Sequence, residues 1–252
     1  EYAGRKQTGW AEAPSLRLIS TAGAPLDSAT KAATEDLFQQ TLHNGYGITE
    51  CSPTVTLTSL DRPRLDCSVG EPLAGLETRL VTPSGDDAVP GEIGELWVRG
   101  PGVMQGYYRA PAETAEVITP DGWFRTGDLA RRDDGNVFIV GRCKEMIIRF
   151  GFNVYPAEIE GVLNAHPAVA RSAVISSTRD GSEDLIACVE LRPGASCSAG
   201  ELAAHAAANL AAYKHPSELV IVEALPLSPA GKILKPALAN LLADRRSADR
   251  AA

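Results

Sequence analysis

Three short stretches of this chain carry residue types that could do chemistry. In Asn44-Gly45-Tyr46-Gly47-Ile48-Thr49-Glu50, two glycines bracket an aromatic residue and two oxygen-bearing side chains follow. Such a stretch can floor a planar base, with backbone brought close at the glycines, Tyr46 stacking, and Thr49 and Glu50 facing phosphate and metal. Taken alone it is equally a tight turn around a packed tyrosine. In Phe124-Arg125-Thr126-Gly127-Asp128-Leu129, Asp128 is either an ordinary loop carboxylate or the acceptor for two neighbouring ribose hydroxyls. In Leu227-Ser228-Pro229-Ala230-Gly231-Lys232-Ile233, Lys232 is either a solvated lysine on a Pro/Gly loop or an ammonium that neutralises a phosphoryl transition state. Arg142 and Lys144, in Gly141-Arg142-Cys143-Lys144-Glu145, read by themselves as surface cations.

The elements that must position these residues follow from pattern. Residues 16–20 alternate as a buried strand and end in the small-residue turn Thr21-Ala22-Gly23-Ala24-Pro25. Asp27 can cap a helix expected to run through Leu42, with Ala33, Leu37 and Leu42 on its apolar face. Strand, glycine turn and helix make an α/β unit, and the stretch 44–50 is the next turn. Residues 69–140 change texture to short alternating segments between Gly and Pro turns, as in a small β-barrel or sheet that is mostly antiparallel. One short helix is expected at 111–117, and Asp134-Gly135 forms a turn before a strand at 136–140.

After Pro156 the order reads helix, strand, strand, helix, strand, helix. Pro156 suits a first helical turn, with Ile159, Val162 and Leu163 as its stripe. Strands are expected at 168–176, 184–191 and 219–222. Ser198-Ala199-Gly200-Glu201 has capping-box form and opens an Ala-rich helix to about residue 212, and a last helix is expected at 236–246. This is a separate α+β module.

Composition narrows the classes. A chain of 252 residues with 44% hydrophobic content has material for a core in one large or two ordinary domains. A net charge of -8 disfavours a nucleic-acid surface, so anions must be met by a few local cations. No apolar run approaches the roughly 18 to 20 residues that span a bilayer, and no signal pattern opens the chain, so the expectation is a soluble, cytoplasmic protein without an integral membrane segment. The five cysteines are scattered without Cys-x-x-Cys spacing, and the four histidines do not cluster, which disfavours zinc and disulfide frameworks. The polar opening at Glu1, with no Met, reads as a start inside a longer protein.

The pieces and their order resemble the adenylate-forming (AMP-binding) superfamily of acyl-CoA synthetases, peptide-synthetase adenylation domains and luciferases. The resemblance runs from Ser20-Thr21-Ala22-Gly23-Ala24-Pro25-Leu26, through Tyr46-Gly47-Ile48-Thr49-Glu50 and Gly94-Glu95-Leu96-Trp97-Val98-Arg99-Gly100, to Gly231-Lys232-Ile233-Leu234-Lys235. It implies the end of a large adenylate-forming domain at 1–143, an α/β unit plus a small β-barrel subdomain, followed by a small mobile α+β carboxyl-terminal domain at 144–252. The implied reaction joins a small-molecule carboxylic acid to AMP from ATP with Mg²⁺, then passes the acyl group to a thiol, usually coenzyme A. By resemblance Lys232 serves adenylation, Glu50 helps hold Mg²⁺, and Thr49 contacts phosphate. Asp128 with Arg142 binds ribose, while Gly23, Ala24, Pro25, Asn44, Gly45, Tyr46 and Gly47 shape the adenine pocket. Lys144 is the pivot on which the small domain turns, presenting Lys232 in one half-reaction and the Gly151 loop, with Phe152, Tyr213 and Lys214, to coenzyme A in the other.

Departures from the family pattern set further expectations. The Ser/Thr/Gly-rich phosphate loop is absent, which implies a carboxyl-terminal half, inactive alone, that needs a missing amino-terminal half as partner. Phe150 stands where many relatives have Gly, only Lys214 remains of the basic residues around 213–217, and the loop 176–182 is shorter. Loading of a carrier-protein phosphopantetheine, or a non-catalytic binding fragment, are the alternatives. The acid itself and a homodimer stay open.

Overall fold

A parallel pair of strands with a helix between them opens the fold. The computed structural model describes residues 15–179, 182–229 and 231–251. The polar opening segment, Asp180 and Gly181 of the expected 176–182 loop, and Ala230 lie outside the described residues. Strand β1 (Ile19–Thr21) pairs in parallel with β2 (Leu42–Gly47), Thr21 lying opposite Asn44. Helix α1 (Ser28–Phe38) begins as expected at Asp27, whose Oδ1 accepts the Thr30 backbone N–H at 2.7 Å. It stops four residues before Leu42, where Gln39 takes a left-handed conformation (φ 51°), and Leu42 starts β2 instead. The buried Lys31 ammonium holds that start, donating to the Leu42 carbonyl at 2.9 Å and to Glu35 at 2.8 Å.

The stretch expected to be a turn at 44–50 is mostly strand. Between β1 and the antiparallel β3 (Thr54–Leu57), β2 is covered on both edges. Its glycines serve close packing, since a Cβ on Gly47 would meet the Pro53 carbonyl oxygen at 2.2 Å. A 3₁₀ turn at Thr49–Cys51 follows, and β4 (Glu71–Pro72) completes the sheet in the order β1-β2-β3-β4.

A second sheet has the order β5 (Glu77–Val81), β6 (Gly94–Arg99), β7 (Phe124–Asp133), β8 (Asn136–Arg142), with α2 at the expected Pro111–Val117. Asp134 and Gly135 (φ 45° and 77°) make the tight β7–β8 turn that an Asp-Gly step favours. The sheet is open, not the closed barrel expected: among the described residues, pairing beyond β8 continues as a bridge from Val137 to Gly70 and not back to β5. Along β6, Leu96 and Val98 enter a core shared with Val55, Leu80, Phe124 and Val137, while Trp97 and Arg99 face outward. There Arg125 lies 4.8 Å from the Trp97 ring centre and Arg99 4.5 Å from that of Trp123, a cation–π ladder.

Contacts divide the chain between Ile139 and Val140, within β8. The second unit holds the hairpin β9 (Ile147–Arg149) and β10 (Phe152–Val154), α3 (Pro156–Asn164), β11 (Val169–Arg179), β12 (Ser182–Leu191), α4 (Ala199–Asn209), β13 (Glu218–Val222) and α5 (Lys235–Ala251). From Pro156 onward this is the expected order, although α4 ends at Asn209 and α5 runs past the expected stop at 246. Strand β12 is central, antiparallel to β11 and parallel to β13. Its Leu185, Ala187 and Val189 face the core of α3 and α4, and Ile186 and Cys188 face α5 through Leu238 and Leu242. Full burial of each such Leu or Val contributes roughly 1.5–3 kcal/mol. The Ser198 and Glu201 capping box forms as expected, each side chain bonded to the other's backbone N–H.

Candidate functional site

In the first unit, the end of the parallel pair gathers the expected pocket residues. The exposed Gly23-Ala24-Pro25 turn leaves β1 just after Thr21, and Gly23 takes φ 85°. Opposite, Asn44 is fixed in β2: its amide nitrogen donates to the Ser68 and Cys67 carbonyls at 3.2 and 3.3 Å, and its backbone N–H to Thr58 Oγ1 at 3.0 Å. Asn44 Oδ1 is left buried without a partner among the described residues, an acceptor whose desolvation none of them offsets.

Two residues along β2, the Tyr46 hydroxyl donates to Asp128 Oδ2 at 2.6 Å. Burial, reinforced by the Asp128 charge, raises the Tyr46 phenol above its ordinary range, so it remains a donor at any physiological pH. Asp128 is itself positioned by an irregularity within β7, where the register against β6 shifts between Arg125 and Leu129. The Thr126 hydroxyl donates to the Leu96 carbonyl at 2.7 Å and accepts the Asp128 N–H at 3.0 Å, and Gly127 N–H reaches Glu95 at 2.9 Å. Beyond Gly47, the 3₁₀ turn presents Thr49 to solvent and sets Glu50 Oε1 3.1 Å from the Tyr107 hydroxyl. The Glu50 carbonyl accepts Met104 N–H at 2.8 Å, which fixes the turn. Tyr107 was not among the expected residues; its position before α2 gives no local signal of a partner 57 residues away.

The second unit holds the rest. Arg142 is exposed at the end of β8, and Lys144 is exposed in the 3₁₀ turn Cys143–Glu145. Phe150 and Gly151 (φ 52° and 80°) form the two-residue turn of the β9–β10 hairpin. Phe152 stacks on Tyr213, ring centres 4.6 Å apart, so the four expected acceptor residues Gly151, Phe152, Tyr213 and Lys214 do share one corner. The Lys214 ammonium is engaged there by both Glu158 oxygens, at 2.6 and 2.7 Å. Arg149, overlooked in the sequence, secures the corner by donating to the Tyr213 carbonyl at 3.3 Å and the Ser217 hydroxyl at 2.7 Å.

Lys232 is exposed on a loop closed at its base, where Leu227 bridges Ile233 and Leu234 N–H reaches the Pro226 carbonyl at 2.8 Å. Among the described residues, no three His, Cys, Asp or Glu side chains converge as a metal cluster, and no helix is long and apolar enough to cross a membrane. A lone carboxylate such as Glu50 is nevertheless the protein share that Mg²⁺ takes when phosphates and water complete its shell.

Residues 3–108 match the AMP-binding enzyme family and residues 158–232 match the AMP-binding enzyme C-terminal domain. The chain belongs to the AMP-binding enzyme family. Its matches are of the adenylate-forming, acyl-CoA synthetase type. A long-chain-fatty-acid–CoA ligase of Yersinia pestis is 42% identical over 221 residues, covering 87% of this chain and 39% of that protein. The ATP-bound structure of MatB from Rhodopseudomonas palustris superposes with a TM-score of 0.83 at 33% identity, over 90% of this chain and 47% of that one. The anthranilate CoA ligase AuaEII in complex with anthranoyl-AMP gives a TM-score of 0.83 at 29% identity, over 90% of this chain and 45% of that one. This AMP-binding chain thus spans about two fifths of the length of the first curated relative.

Proposed function

We propose that this chain supplies part of the nucleotide pocket and the carboxyl-terminal domain of an ATP-dependent acid–thiol ligase, with the domain boundary at 143/144. A carboxylate oxygen attacks the α-phosphorus of ATP, the bond to the bridging oxygen breaks, and pyrophosphate leaves. The sulfur of coenzyme A, its proton lost, then takes the acyl carbon and AMP leaves.

The observation that carries this reading is the orphaned Asn44 Oδ1 beside the Tyr46–Asp128 pair. A buried acceptor of this kind fits the exocyclic amine of adenine. The flanking Gly23-Ala24-Pro25 turn borders the pocket, Gly45 and Gly47 leave the β2 backbone free to approach the base, and Tyr46 lies against it. Asp128, assisted by Arg142, accepts the ribose hydroxyls, and Thr49 donates to phosphate. Glu50 would hold Mg²⁺, which neutralises phosphate charge. Lys232 brings its ammonium to the charge that develops when two anions join. Lys144, solvated in its turn, is the pivot, and the Gly151, Phe152, Tyr213 and Lys214 corner meets the thiol carrier. The full activity belongs to a protein of the relatives' length, in which an amino-terminal partner region completes the site.

One observation favours the second acceptor. Lys214 is already paired with Glu158, so this corner offers little net positive charge to a nucleotide phosphate, whereas a carrier-bound phosphopantetheine carries no nucleotide.

The test uses the full-length protein carrying this chain, with adenylate trapped by hydroxylamine across a panel of carboxylates. Lys232→Ala should slow adenylation by about a hundredfold or more, the scale of removing one group that stabilises transition-state charge. Thioester formation from supplied acyl-adenylate should be spared. Failure to consume ATP with every acid, or equal losses in both half-reactions, would overturn the reading.

A further inference from the structure

Three residues after Lys232, α5 begins with a lysine that the chemistry above does not use. Lys235 stands in the first turn of its helix, where the macrodipole disfavours a cation. Its side chain is only 22% exposed, and its ammonium lies 2.6 Å from Glu145 Oε2 and 3.0 Å from Glu160 Oε1. Both partners belong to fixed elements. Glu145 closes the 3₁₀ turn that carries Lys144, and Glu160 Oε1 on α3 also accepts the Val174 N–H of β11 at 2.7 Å. From Lys235 the chain is tied back to the base of the Lys232 loop by Leu234 N–H on the Pro226 carbonyl and by the burial of Leu238.

We infer that Lys235 is a positioning residue that locks the Lys232 loop to the Lys144 turn through Glu145, so that pivot and adenylation lysine move as one body. A simpler stabilising contact could sit anywhere on α5; this one sits between two residues with assigned roles and reaches both of their segments. An ammonium held by two carboxylates is directional, and with the side chain mostly out of water the pair fixes the approach of the two segments as an apolar contact, which has no preferred direction, would not. The inference rests on the roles proposed for Lys232 and Lys144.

The experiment measures both half-reactions in the full-length protein for Lys235→Met, Lys235→Arg, Glu145→Gln and, as a reference, Lys232→Ala. Lys235→Met should lower adenylation kcat by about tenfold to a hundredfold, the scale for a reacting group displaced by up to an ångström, with KM for ATP little changed. Thioester formation from supplied acyl-adenylate should persist, Glu145→Gln should show the same selective loss, and Lys235→Arg should recover most of the rate. Were Lys235→Met not to fold, Glu145→Gln and Lys235→Arg would still decide the matter. Adenylation unaffected in both Lys235→Met and Glu145→Gln while Lys232→Ala abolishes it would overturn the inference alone, as would equal losses in both half-reactions. Lys232→Ala that leaves adenylation intact would instead overturn the role on which it rests.

Discussion

The Tyr46 hydroxyl meets Asp128 Oδ2 at 2.6 Å although 82 positions of chain separate them. The tyrosine comes from the parallel-sheet region and the carboxylate from the second sheet of the same unit, so the contact fixes the side-chain orientation of a residue assigned to ribose. Hydrogen bonds to charged groups are worth about 1.5–3 kcal/mol. Tyr46→Phe keeps the ring and removes the donor. AMP affinity of the full-length protein, read by calorimetry, should fall about tenfold, or about 1.4 kcal/mol. Unchanged affinity would remove Asp128 orientation from the account of the pocket.

Gly47→Ala tests the turn that presents Thr49 and Glu50. The new Cβ would sit 2.2 Å from the Pro53 carbonyl oxygen, the acceptor for Ile48 N–H, so the backbone must shift. Overpacking of this kind costs about 1–3 kcal/mol, and in a domain of this size lowers Tm by several degrees. Adenylation should fall further than stability explains, because the displaced turn carries two of the proposed site residues. Gly45→Ala, which meets the Thr56 carbonyl at 3.0 Å and the end of Leu57 at 3.1 Å, should be milder on both counts.

Alkaline pH reports on Lys235. Burial pushes its ammonium down, but Glu160 and Glu145 outweigh it and raise the group above the ordinary lysine range. With the folded value above the unfolded one, the contribution to stability is complete below the unfolded value of about 10.4 and lost as pH climbs through the folded value. Thermal melts followed by circular dichroism should therefore decline from about pH 10.4 upward. Lys235→Met, which lacks the contribution at every pH, should decline less; parallel curves would show that other groups govern the alkaline loss.

Phe150 occupies the left-handed region at φ 52° while remaining 73% exposed. An L-residue there costs about 1–2 kcal/mol, against roughly 0.5–1 kcal/mol of extra chain entropy lost by glycine. Phe150→Gly should therefore stabilise the β9–β10 hairpin by about 0.5–1 kcal/mol, measurable as slower amide exchange at Phe152 and Val154, whose N–H groups face the partner strand. Faster exchange would show that the packing of Arg149 over the Phe150 ring outweighs the backbone strain.

Local signals were legible in the sequence and distant ones were not. The Asp27 cap, the Ser198–Glu201 box, the α2 bounds and the Asp134-Gly135 turn each depend on a few neighbouring residues. Strand β2 reads as a turn in the sequence because two glycines bracket an aromatic residue, whereas those glycines are there for the close approach of β3. Barrel closure depends on which strand edges pair, and no pattern within a strand announces that β8 stops at Gly70. The same limit applied to the site: Glu50, Asp128 and Lys232 belong to recognisable motifs. Tyr107, Arg149 and the Glu145–Lys235 pair act across 57 to 90 positions, and nothing local marks them.

The arginine ladder on β5–β7 has an optical consequence. Trp97 and Trp123 both lie in it, the third tryptophan, Trp10, precedes the described residues, and none falls after Val140. Intrinsic tryptophan emission therefore carries no signal from residues after Val140, while far-ultraviolet ellipticity sums the helices and strands of both units. Recorded on one sample through one denaturant series, the two signals separate without any introduced dye. Superimposed curves would mark a single cooperative transition, and displaced curves would give the stability of each unit in turn.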